Sequence, residues 1–463
     1  MNTADSSPAV TIIGAGLSGL ATAWQLANAG ARVTVLERSN RTGGVIRSER
    51  KDGFLCEAAP NSMLIKSQSA EDFLTGLGLA DEIVDANPLA NKRFLVRDGK
   101  VIPLPMSLMG GITTPLYTLR AKFRVLAEPF IKPYGGEDES VASFVTRRMG
   151  REFLDYGIAS LVSGIFAGDP ERLSIRHAFP KVWNLEARFG SMIGGAIKLG
   201  RERKRSGEKA YKSRMISFRD GVETLTRRLA ESSAANIRTN AAISSIERGE
   251  NGWVVRWSGP DGEHISESDA LIVSVSETDL GSLPWSAALG LQVDDLPSLH
   301  HPPVTTLVMG FRREQVAHPM DGFGMLIPLV EGRRVLGAIF SSTIFPDRAP
   351  DGHVSLMIFM GGATMPESAK TDADEAVDLA CAELGDLLGI DGRPVFSSLV
   401  HWPLAIPQYN VGHGQFISAI ESVERNNPGL HFTANYRGGP GLSDCLDSAI
   451  RTSSKVLEGK RGS

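Results

Sequence analysis

Six residues close to the N-terminus have the spacing of a dinucleotide-binding turn. Gly14-Ala15-Gly16-Leu17-Ser18-Gly19 follows the apolar run Val10–Ile13 and opens a stretch of helical periodicity. In such a turn the glycines allow a tight bend, close approach of a pyrophosphate and close helix packing, and the helix N-terminus adds partial positive charge. Glu37 ends the next predicted strand, where a carboxylate accepts hydrogen bonds from ribose hydroxyls. We therefore expect a bound dinucleotide.

Two further segments favour FAD over NAD as that dinucleotide. Arg41-Thr42-Gly43-Gly44 offers a cation and two residues without side chains along the path of an extended cofactor, although a solvated loop charge is an equal alternative for Arg41. Gly438-Gly439-Pro440-Gly441 precedes a predicted helix from Leu442, whose N-terminus could stabilise negative charge on reduced flavin. Because no second GxGxxG motif introduces a βαβ unit, we expect no built-in NADPH domain. Electrons should come from an organic substrate and pass to oxygen or another acceptor.

The cysteines and histidines show no spacing typical of a metal centre. Cys56, Cys381 and Cys445 lie far apart in the chain, so neither a zinc finger nor a disulfide is expected. None of them matches a flavin-linkage position, so FAD should be bound non-covalently. The histidines also lack ligand spacing, and we interpret His413 as a structural residue. The sequence nominates no side chain as a catalytic acid or base.

Composition and charge exclude several classes of protein. The 463 residues are 42% hydrophobic and 22% charged, as in an ordinary folded chain, and the net charge of -4 gives no positive field for nucleic acid. The N-terminus lacks the features of a secretory signal, and no apolar run approaches the ~18 residues that span a bilayer, so we expect a cytoplasmic protein. Lys198–Arg214 contains eight basic residues. That segment is either a solvated helix end or loop, or a surface attracted to anionic lipid headgroups.

The spacing of apolar residues predicts alternating sheet and helical blocks. The chain should begin with a βαβ unit of strand Val10–Ile13, helix Ser18–Ala29 and strand Arg32–Leu36. A hairpin is predicted over Lys92–Pro105, because Asp98-Gly99 suits a turn with positive φ. Tyr117–Lys212 should be helical. Later strands are predicted at Met215–Phe218, Ala242–Ile246, Trp253–Trp257, Ala270–Ser274, Val304–Phe311, Gly324–Pro328, Val335–Ser341, Val354–Phe359 and up to Trp402, and helices at Asp372–Leu388 and at Leu442–Leu457, the last stopped by Gly459.

These blocks predict an α/β protein with discontinuous domains. We expect a Rossmann-type FAD-binding domain, a mixed-sheet substrate-binding domain and an inserted helical domain. Their predicted ranges are 8–66, 214–282 and 411–460 for the first, 67–116 and 283–410 for the second, and 117–213 for the third. The sequence leaves open whether the protein is a monomer or a homodimer.

Five segments outside the nucleotide motif have distinctive sequences. They are Lys92-Arg93-Phe94, Ser163–Asp169, Gly322–Pro328, Phe345–Pro350 and Trp402–Asn410 with Gly412-His413 after it. With the N-terminal turn and Gly438–Leu442, they resemble the protoporphyrinogen oxidases, FAD-dependent enzymes of haem biosynthesis within the amine-oxidase-like flavoproteins. The similarity covers nearly the whole chain in the same order.

The resemblance implies a set of FAD contacts. It comprises Gly14, Ala15, Gly16, Leu17, Ser18, Gly19, Glu37, Arg38, Gly43, Gly44, Val45, Ala59, Pro60, Asn61, Ser62, Ile243, Trp402, Pro440, Gly441 and Leu442, to which the local sequence adds Arg41. Two positions depart from the family pattern. Ala59 stands where glycine is usual, which would restrict that loop, and Pro440 stands where an aliphatic residue is usual and cannot donate a backbone N–H.

The resemblance also implies oxidation of protoporphyrinogen IX to protoporphyrin IX. Three hydride removals to flavin N5 would each be followed by reoxidation with molecular oxygen and release of hydrogen peroxide. The implied substrate contacts are Arg93, the backbone at Gly164, and the apolar Leu326, Ile339 and Phe359. A porphyrinogen is a broad apolar ring with carboxylates on one side, so flat apolar walls and one guanidinium suit it. If each residue is considered without the resemblance, the apolar residues are better interpreted as strand core, and Arg93 is better interpreted as a surface charge.

Several alternatives stay open at this point. The same fold could act on coproporphyrinogen III, whose four propionates call for a more basic pocket. An amine oxidase or desaturase would lack the Arg93 and Phe359 matches together, and a flavin carrier would bind FAD without turnover. The resemblance further implies that the helical domain faces a membrane, as a peripheral contact on the inner face of the cell membrane.

Overall fold

A computed structural model describes residues 7–207, 211–290 and 296–461, so residues 208–210 of the basic segment lie outside it. The strands are β1 Ala9–Ile13, β2 Arg32–Leu36, β3 Ser48–Lys51, β4 Phe54–Glu57, β5 Met63–Ile65, β6 Ile83–Asp85, β7 Phe94–Arg97, β8 Lys100–Pro103, β9 Arg214–Phe218, β10 Asn236–Arg238, β11 Ala242–Gly249, β12 Gly252–Gly259, β13 Gly262–Ser268, β14 Ala270–Val273, β15 Val304–Arg312, β16 Gly324–Leu326, β17 Val335–Ile339, β18 His353–Gly361, β19 Phe396–Trp402 and β20 Leu430–Phe432.

The α-helices alternate with these strands. They are α1 Leu17–Asn28, α2 Gln68–Gly76, α3 Leu108–Thr113, α4 Leu119–Leu126, α5 Val141–Met149, α6 Arg151–Phe153, α7 Ala159–Phe166, α8 Ile175–Ala178, α9 Pro180–Phe189, α10 Met192–Ser206, α11 Glu223–Ser232, α12 Glu277–Leu280, α13 Ser341–Ile344, α14 Ala373–Leu388, α15 His413–Asn426 and α16 Leu442–Arg461.

A five-stranded parallel sheet forms the nucleotide-binding half. Its strand order is β10-β2-β1-β14-β20, and every pairing in it is parallel. The predicted βαβ unit is confirmed as β1, α1 and β2. The sheet's strands come from three distant parts of the chain, and their carboxyl ends meet at one edge, where such sheets bind ligands.

Both faces of this sheet are covered. Val10 and Ile12 face one core with α1 and α16, whereas Ile13 faces the other with β12 and α15. Helix α16 continues through Gly459 to Arg461, so the predicted stop there is wrong. An interior glycine costs a helix only about 1 kcal/mol relative to alanine, and Val456 in the last turns is still buried in the core.

A seven-stranded mixed sheet forms the second half. Its order is β19-β15-β18-β17-β16-β7-β8, antiparallel except for the β16–β7 pair. The predicted hairpin is confirmed as β7 and β8, with φ of +50° at Asp98 and +68° at Gly99. Leu356, Met360 and Leu384 belong to the core between one sheet face and α14. The other face is turned toward β4 and α7.

The chain between β8 and β9 is helical, as predicted, and contains α3 to α10. Helices α6 and α7 are joined by a π-helical turn at Leu154–Ile158. This part of the chain supplies one wall of the space above the seven-stranded sheet. Within the described ranges, no helix combines the length and the apolar character needed to cross a membrane.

Candidate functional site

The turn between β1 and α1 has the three properties that its glycines predict. Gly14 has φ of +101°, and a Cβ on Gly19 would lie 2.0 Å from the Gly14 carbonyl oxygen, so α1 packs closely only because Gly19 lacks one. No described atom lies within 4 Å of a Cβ position on Gly16, which leaves room for a ligand. No described side chain caps α1 either. The first N–H groups of that helix are therefore available to a pyrophosphate.

Glu37 lies beside this turn, at the carboxyl end of β2. Its Oε2 accepts a hydrogen bond from the Ala15 N–H at 2.8 Å, and its Oε1 accepts one from the Ser39 N–H at 2.9 Å. A carboxylate accepts about four hydrogen bonds in all. Ser39 Oγ also donates to Oε1 at 2.8 Å. The three donors fix the position of the carboxylate and leave about one acceptor site for a ribose hydroxyl.

The loop after β2 folds back onto the glycine turn. The Gly43 N–H donates to the Ala15 carbonyl at 2.8 Å, and a Cβ on Gly44 would lie 3.3 Å from Gly16 Cα. Arg41 donates to the carbonyl of Thr42 at 3.0 Å and to that of Gly44. Arg41 therefore orders its own loop, which disfavours the alternative of a free solvated charge.

Three of the predicted FAD contacts lie at the margin of this region. Arg38 is mostly exposed and pairs with Asp279 at 3.0 Å, and the Val45 side chain is also exposed. Ile243 packs half-buried against the core on β11. That strand follows Ala241, whose N–H donates to the Glu37 carbonyl.

The segment Ala59–Ser62 follows β4 and contacts the second half of the protein. The preceding Ala58 carbonyl accepts hydrogen bonds from Trp402 Nε1 and Thr306 Oγ1, both at 2.9 Å. Trp402 is thereby held next to this loop. Asn61 Nδ2 is buried and has no hydrogen-bond partner among the described residues. An unsatisfied buried donor is rare in native proteins, and a bound ligand would satisfy it.

The glycine turn before α16 closes the same region. Gly438 and Gly439 have φ of +99° and +134°, conformations that other residues rarely adopt. The Tyr409 hydroxyl accepts from the Gly439 N–H at 3.0 Å and donates to the Asn435 carbonyl, so it braces this turn. Tyr409 is a residue whose role the sequence did not predict, although it belongs to the distinctive Trp402–Asn410 segment.

The start of α16 contacts β5 and Lys66, which directly follow the Ala59–Ser62 segment. Ser443 Oγ donates to the Leu64 carbonyl, and Lys66 Nζ lies 3.0 Å from Asp444. Gly441 and Leu442 therefore lie near that loop, while Pro440 supplies no N–H. Together with the open Gly16, the uncapped α1 and the unpaired Asn61 amide, these segments fit an extended FAD.

The predicted apolar substrate residues share one face of the seven-stranded sheet. Directly paired residues of neighbouring strands point to the same face. The strand registers align a row across six strands, Leu95–Leu326–Gly337–Phe359–Thr306–Val400. Ile339 lies two residues after Gly337 on that face, and Trp402 lies two residues after Val400. Leu326, Ile339 and Phe359 are half-buried rather than sealed in the core.

Gly164 on α7 lies directly against this row. A Cβ on Gly164 would come within 2.7 Å of Leu326 Cδ2, so the missing side chain lets the helix backbone approach the sheet. At the other end of the row are Thr306, Val400 and the Ala58 carbonyl beside Trp402. The predicted substrate residues therefore form a continuous row on the sheet, with α7 at one end and the proposed FAD segments at the other.

Arg93 lies at the start of β7, on the side of the strand that carries Leu95. Its guanidinium is exposed and lies over the ring of Phe323, 5.3 Å from the centroid. Stacking on an aromatic ring orders the guanidinium without using its hydrogen-bond donors. Arg97, on the same side of the strand, forms an ion pair with Glu152, and its Nη1 lies 2.9 Å from Glu152 Oε1. Arg93 is therefore the β7 guanidinium that is free to hold a carboxylate.

Glu57 is a buried carboxyl group that the sequence did not single out. It ends β4 next to Ala58, is 5% exposed, and lines a small cavity with Thr306 and Val400. Burial raises its pKa to about 7, although the Ser48 hydroxyl and the Val222 N–H donate to it. Its proton occupancy therefore changes near neutral pH.

The histidine and cysteine environments are those of structural residues. His413 is buried and stacked on Tyr409, and burial lowers its pKa to about 4, so it is neutral at pH 7. Burial raises the pKa of Cys56 to about 11. No group of three or more potential metal ligands occurs in the described part of the chain.

Comparison with known proteins identifies the family. The model of the flavin-containing amine oxidoreductases matches residues 17–457. The chain belongs to this family. It is 31% identical to the mitochondrial protoporphyrinogen oxidase of Nicotiana tabacum over 98% of this chain and 95% of that protein. It is 27% identical to the coproporphyrinogen III oxidase of Bacillus subtilis over 98% of both chains. The predicted FAD-dependent oxidoreductase and the resemblance to protoporphyrinogen oxidases are confirmed.

Solved structures confirm the fold. A candidate protoporphyrinogen oxidase from Exiguobacterium superposes with a TM-score of 0.78 over 98% of this chain and 99% of that one, at 22% identity. A putrescine oxidase superposes with a TM-score of 0.70 over 98% and 99%, at 17% identity. Such distant likeness shows the fold alone, and it confirms the Rossmann-type domain joined to a mixed sheet.

Proposed function

We propose that this protein oxidises protoporphyrinogen IX to protoporphyrin IX. The observation that carries the proposal is the 31% identity to a protoporphyrinogen oxidase over almost the whole of both chains. The apolar row from Leu326 to Val400 supports it, because it offers a flat surface to a macrocycle beside the segments that fit FAD.

The reaction removes six electrons and six protons from the substrate in three two-electron rounds. When bound, FAD supplies the acceptor for the electrons of each round. We propose that molecular oxygen receives them, so that three molecules of oxygen become three of hydrogen peroxide. Peroxide released per porphyrin formed tests this acceptor: a ratio near three supports it, and porphyrin formation without peroxide contradicts it.

The chain's own residues position the substrate in this proposal. Arg93 binds one propionate through two parallel hydrogen bonds. Leu326, Ile339 and Phe359 contact the ring, and Gly164 lets α7 close over it, which excludes water from the reacting carbon. Positioning of this kind accounts for much of the acceleration of bimolecular steps.

Anaerobic mixing tests the substrate directly. The oxidised flavin band of the purified protein should bleach rapidly with protoporphyrinogen IX and slowly with coproporphyrinogen III. Faster bleaching with coproporphyrinogen III would favour the runner-up activity, which the 27% identity to the Bacillus subtilis enzyme supports. Arg93, the exposed guanidinium at the start of β7, favours the substrate with fewer carboxylates. No bleaching with either compound would overturn the proposed function.

We also propose that an apolar surface on α3 and α4 and the residues next to them contacts the cytoplasmic face of a membrane. This surface consists of the exposed side chains Met106, Met109, Ile112, Leu119, Phe123, Leu126 and Phe130. Leu119, Phe123 and Leu126 share one face of α4, and Lys122 Nζ joins the two helices by donating to the Ile112 carbonyl at 2.7 Å. Contiguous exposed apolar groups of this size mark interaction sites, and flanking cations favour anionic lipids.

Vesicle sedimentation tests this membrane contact. The protein should sediment with phosphatidylcholine vesicles that contain anionic phosphatidylglycerol, and L119Q/F123Q should lose most of the bound fraction. Ile265→Gln, a matched change at an exposed residue of β13, should bind as the wild type does. A wild-type homodimer in light scattering that L119Q/F123Q dissociates would show instead that a second copy covers this surface.

A further inference from the structure

A second cavity lies outside the proposed FAD and substrate site. It has a volume of about 430 Å³ and runs between α15 and α16 along the edge strand β20, with Arg176 and His177 closing one side. This size is that of small-molecule sites in proteins. None of residues 14–19, 37–45 or 59–62 lines it, so it is separate from the nucleotide turn.

The cavity has more positive than negative charge. Its lining includes four basic side chains, Arg176, Arg437, Arg451 and Lys455, against two acidic ones, Glu421 and Glu424. Both acids pair with the Arg437 guanidinium: Glu421 at a nitrogen–oxygen distance of 3.6 Å and Glu424 at 2.6 Å. No carboxylate of the described residues lies within ion-pair distance of the other three cations. Asp447 attracts Arg451 electrostatically, but the two groups are too far apart to form an ion pair.

Helix α16 contributes two cations and two hydroxyl groups to the cavity. Arg451 and Lys455 are four residues apart, so two like charges lie side by side on the helix and repel each other. The hydroxyl groups of Ser448 and Thr452, both more than nine-tenths buried, line the cavity from the same helix. Cations and hydroxyls together form the donor set that binds carboxylates and phosphates.

The opposite wall contains a polar atom without a partner. His413 is 5% exposed and lines the cavity, and its Nδ1 is buried with no hydrogen-bond partner among the described residues. On the remaining side, Arg451 Nη2 would lie 2.8 Å from a Cβ on Gly438. The cavity therefore adjoins the outer side of the glycine turn that precedes α16.

We propose that this cavity is a second ligand site, which binds a small organic or inorganic oxyanion carrying phosphate or carboxylate groups. Arg451 and Lys455 hold the charged groups from α16, and Arg176 contacts them from the helical region. Thr452 donates or accepts a further hydrogen bond, and so does Ser448, whose Oγ also lies 3.2 Å from Thr433 Oγ1. The site is independent of the substrate, so it can be tested whether or not the proposed oxidation is correct.

Isothermal titration of the FAD-saturated protein tests the site, because bound FAD blocks pyrophosphate binding at the nucleotide turn. Inorganic pyrophosphate and citrate are the phosphate and carboxylate probes. At least one should bind saturably with one site per chain. R451Q/K455Q should weaken that binding about tenfold to a hundredfold, as expected when charged hydrogen bonds are lost. R32Q/K100Q removes the same charge from exposed positions on β2 and β8 and should bind as the wild type does.

Arg176→Gln provides an independent variant on the other wall and should also weaken binding. Flavin content and thermal unfolding of each variant establish that it is folded. Absence of saturable binding of both probes at millimolar concentration would overturn the proposal. Equal binding by the wild type, R451Q/K455Q and Arg176→Gln would overturn it as well, because the cavity would then not be the binding site.

Discussion

The carboxylate of Glu37 is fixed by two backbone N–H groups at the point where a ribose would lie. We expect Glu37→Ala to weaken FAD binding about tenfold to a hundredfold, because hydrogen bonds to a charged acceptor contribute about 1.5–3 kcal/mol. Turnover of the fraction that retains FAD should change little. Equilibrium dialysis against FAD measures the effect, with Glu231→Ala on the exposed side of α11 as the control. An unchanged dissociation constant would show that Glu37 does not bind the ribose.

Substitution of Arg93 tests whether the apolar row is a porphyrinogen pocket. Arg93→Ala should raise KM strongly, and Arg93→Lys should recover only part of the loss, because an ammonium group cannot form two parallel bonds to a carboxylate. A misplaced ring would also lower kcat. Steady-state kinetics on fully flavinated samples measure both constants. Lys100→Ala, on the partner strand of the hairpin, should behave as the wild type. Wild-type kinetics for Arg93→Ala would refute the placement of the pocket.

Glu57 should make stability depend on pH near neutrality. Its carboxyl pKa is about 7 in the folded protein against an ordinary value of 4.5. The folded state therefore holds the proton more tightly, and this stabilisation is complete below pH ~4.5 and lost as pH rises through ~7. The free energy of unfolding should fall by up to about 3 kcal/mol between pH ~5 and ~8. Denaturant titrations should show a flatter profile for Glu57→Gln, and identical profiles would contradict the assignment.

At the scale of elements, a buried ion-pair network holds the helical region together. Arg148 and Glu128 are both 0% exposed and 3.0 Å apart, and Arg148 also lies 2.8 Å from Glu186. Glu128 in turn accepts hydrogen bonds from Ser191 and from the N–H of Met192 at the start of α10. The network therefore joins α5, α9 and α10 through side chains that are distant in sequence.

Arg148→Met should destabilise the protein by about 3–5 kcal/mol, because it leaves buried carboxylates without their cation. Arg151→Met removes an exposed i,i+4 pair with Asp155 and should cost less than about 1 kcal/mol. Chemical denaturation compares the two, and hydrogen exchange should show the larger loss of protection in α5, α9 and α10. Equal effects of both substitutions would mean that the buried network adds no stability beyond that of a surface pair.

Over the whole molecule, the proposed FAD contacts come from segments that meet only in the folded chain. They include Gly14–Gly19, Glu37, Ala59–Ser62 and Gly441-Leu442. Burial raises the pKa of the free thiols Cys56 and Cys445 to about 11 and about 12, so both stay protonated near neutral pH and are poor nucleophiles for a flavin linkage. Acid or heat should therefore release intact FAD into the supernatant. Flavin that stays with the denatured chain would show a covalent bond.

Local signals were sufficient for much of the fold. The βαβ unit and the Asp98-Gly99 hairpin were predicted because each depends on turn chemistry and periodicity within a few dozen residues. The end of α16 was not, because one glycine disfavours a helix only weakly, so Gly459 does not end it. Glu57 escaped notice for a different reason: burial raises its pKa, and that burial arises only when the folded chain brings distant residues around the carboxyl group.

The sequence alone was enough to predict that a nucleotide binds at the first turn, because that prediction needs only three glycines and one acid at fixed spacing. It also determined the family, through motifs spread over the chain. The residues that share the sheet face with Phe359 are known only from the folded protein. Strand register sets that face, and register depends on pairing between segments up to hundreds of residues apart, as between Leu95 and Leu326. The cationic cavity at β20 also depends on contacts between distant segments. Arg176 and Arg451 line the same cavity only because the helical region packs on the sheet edge.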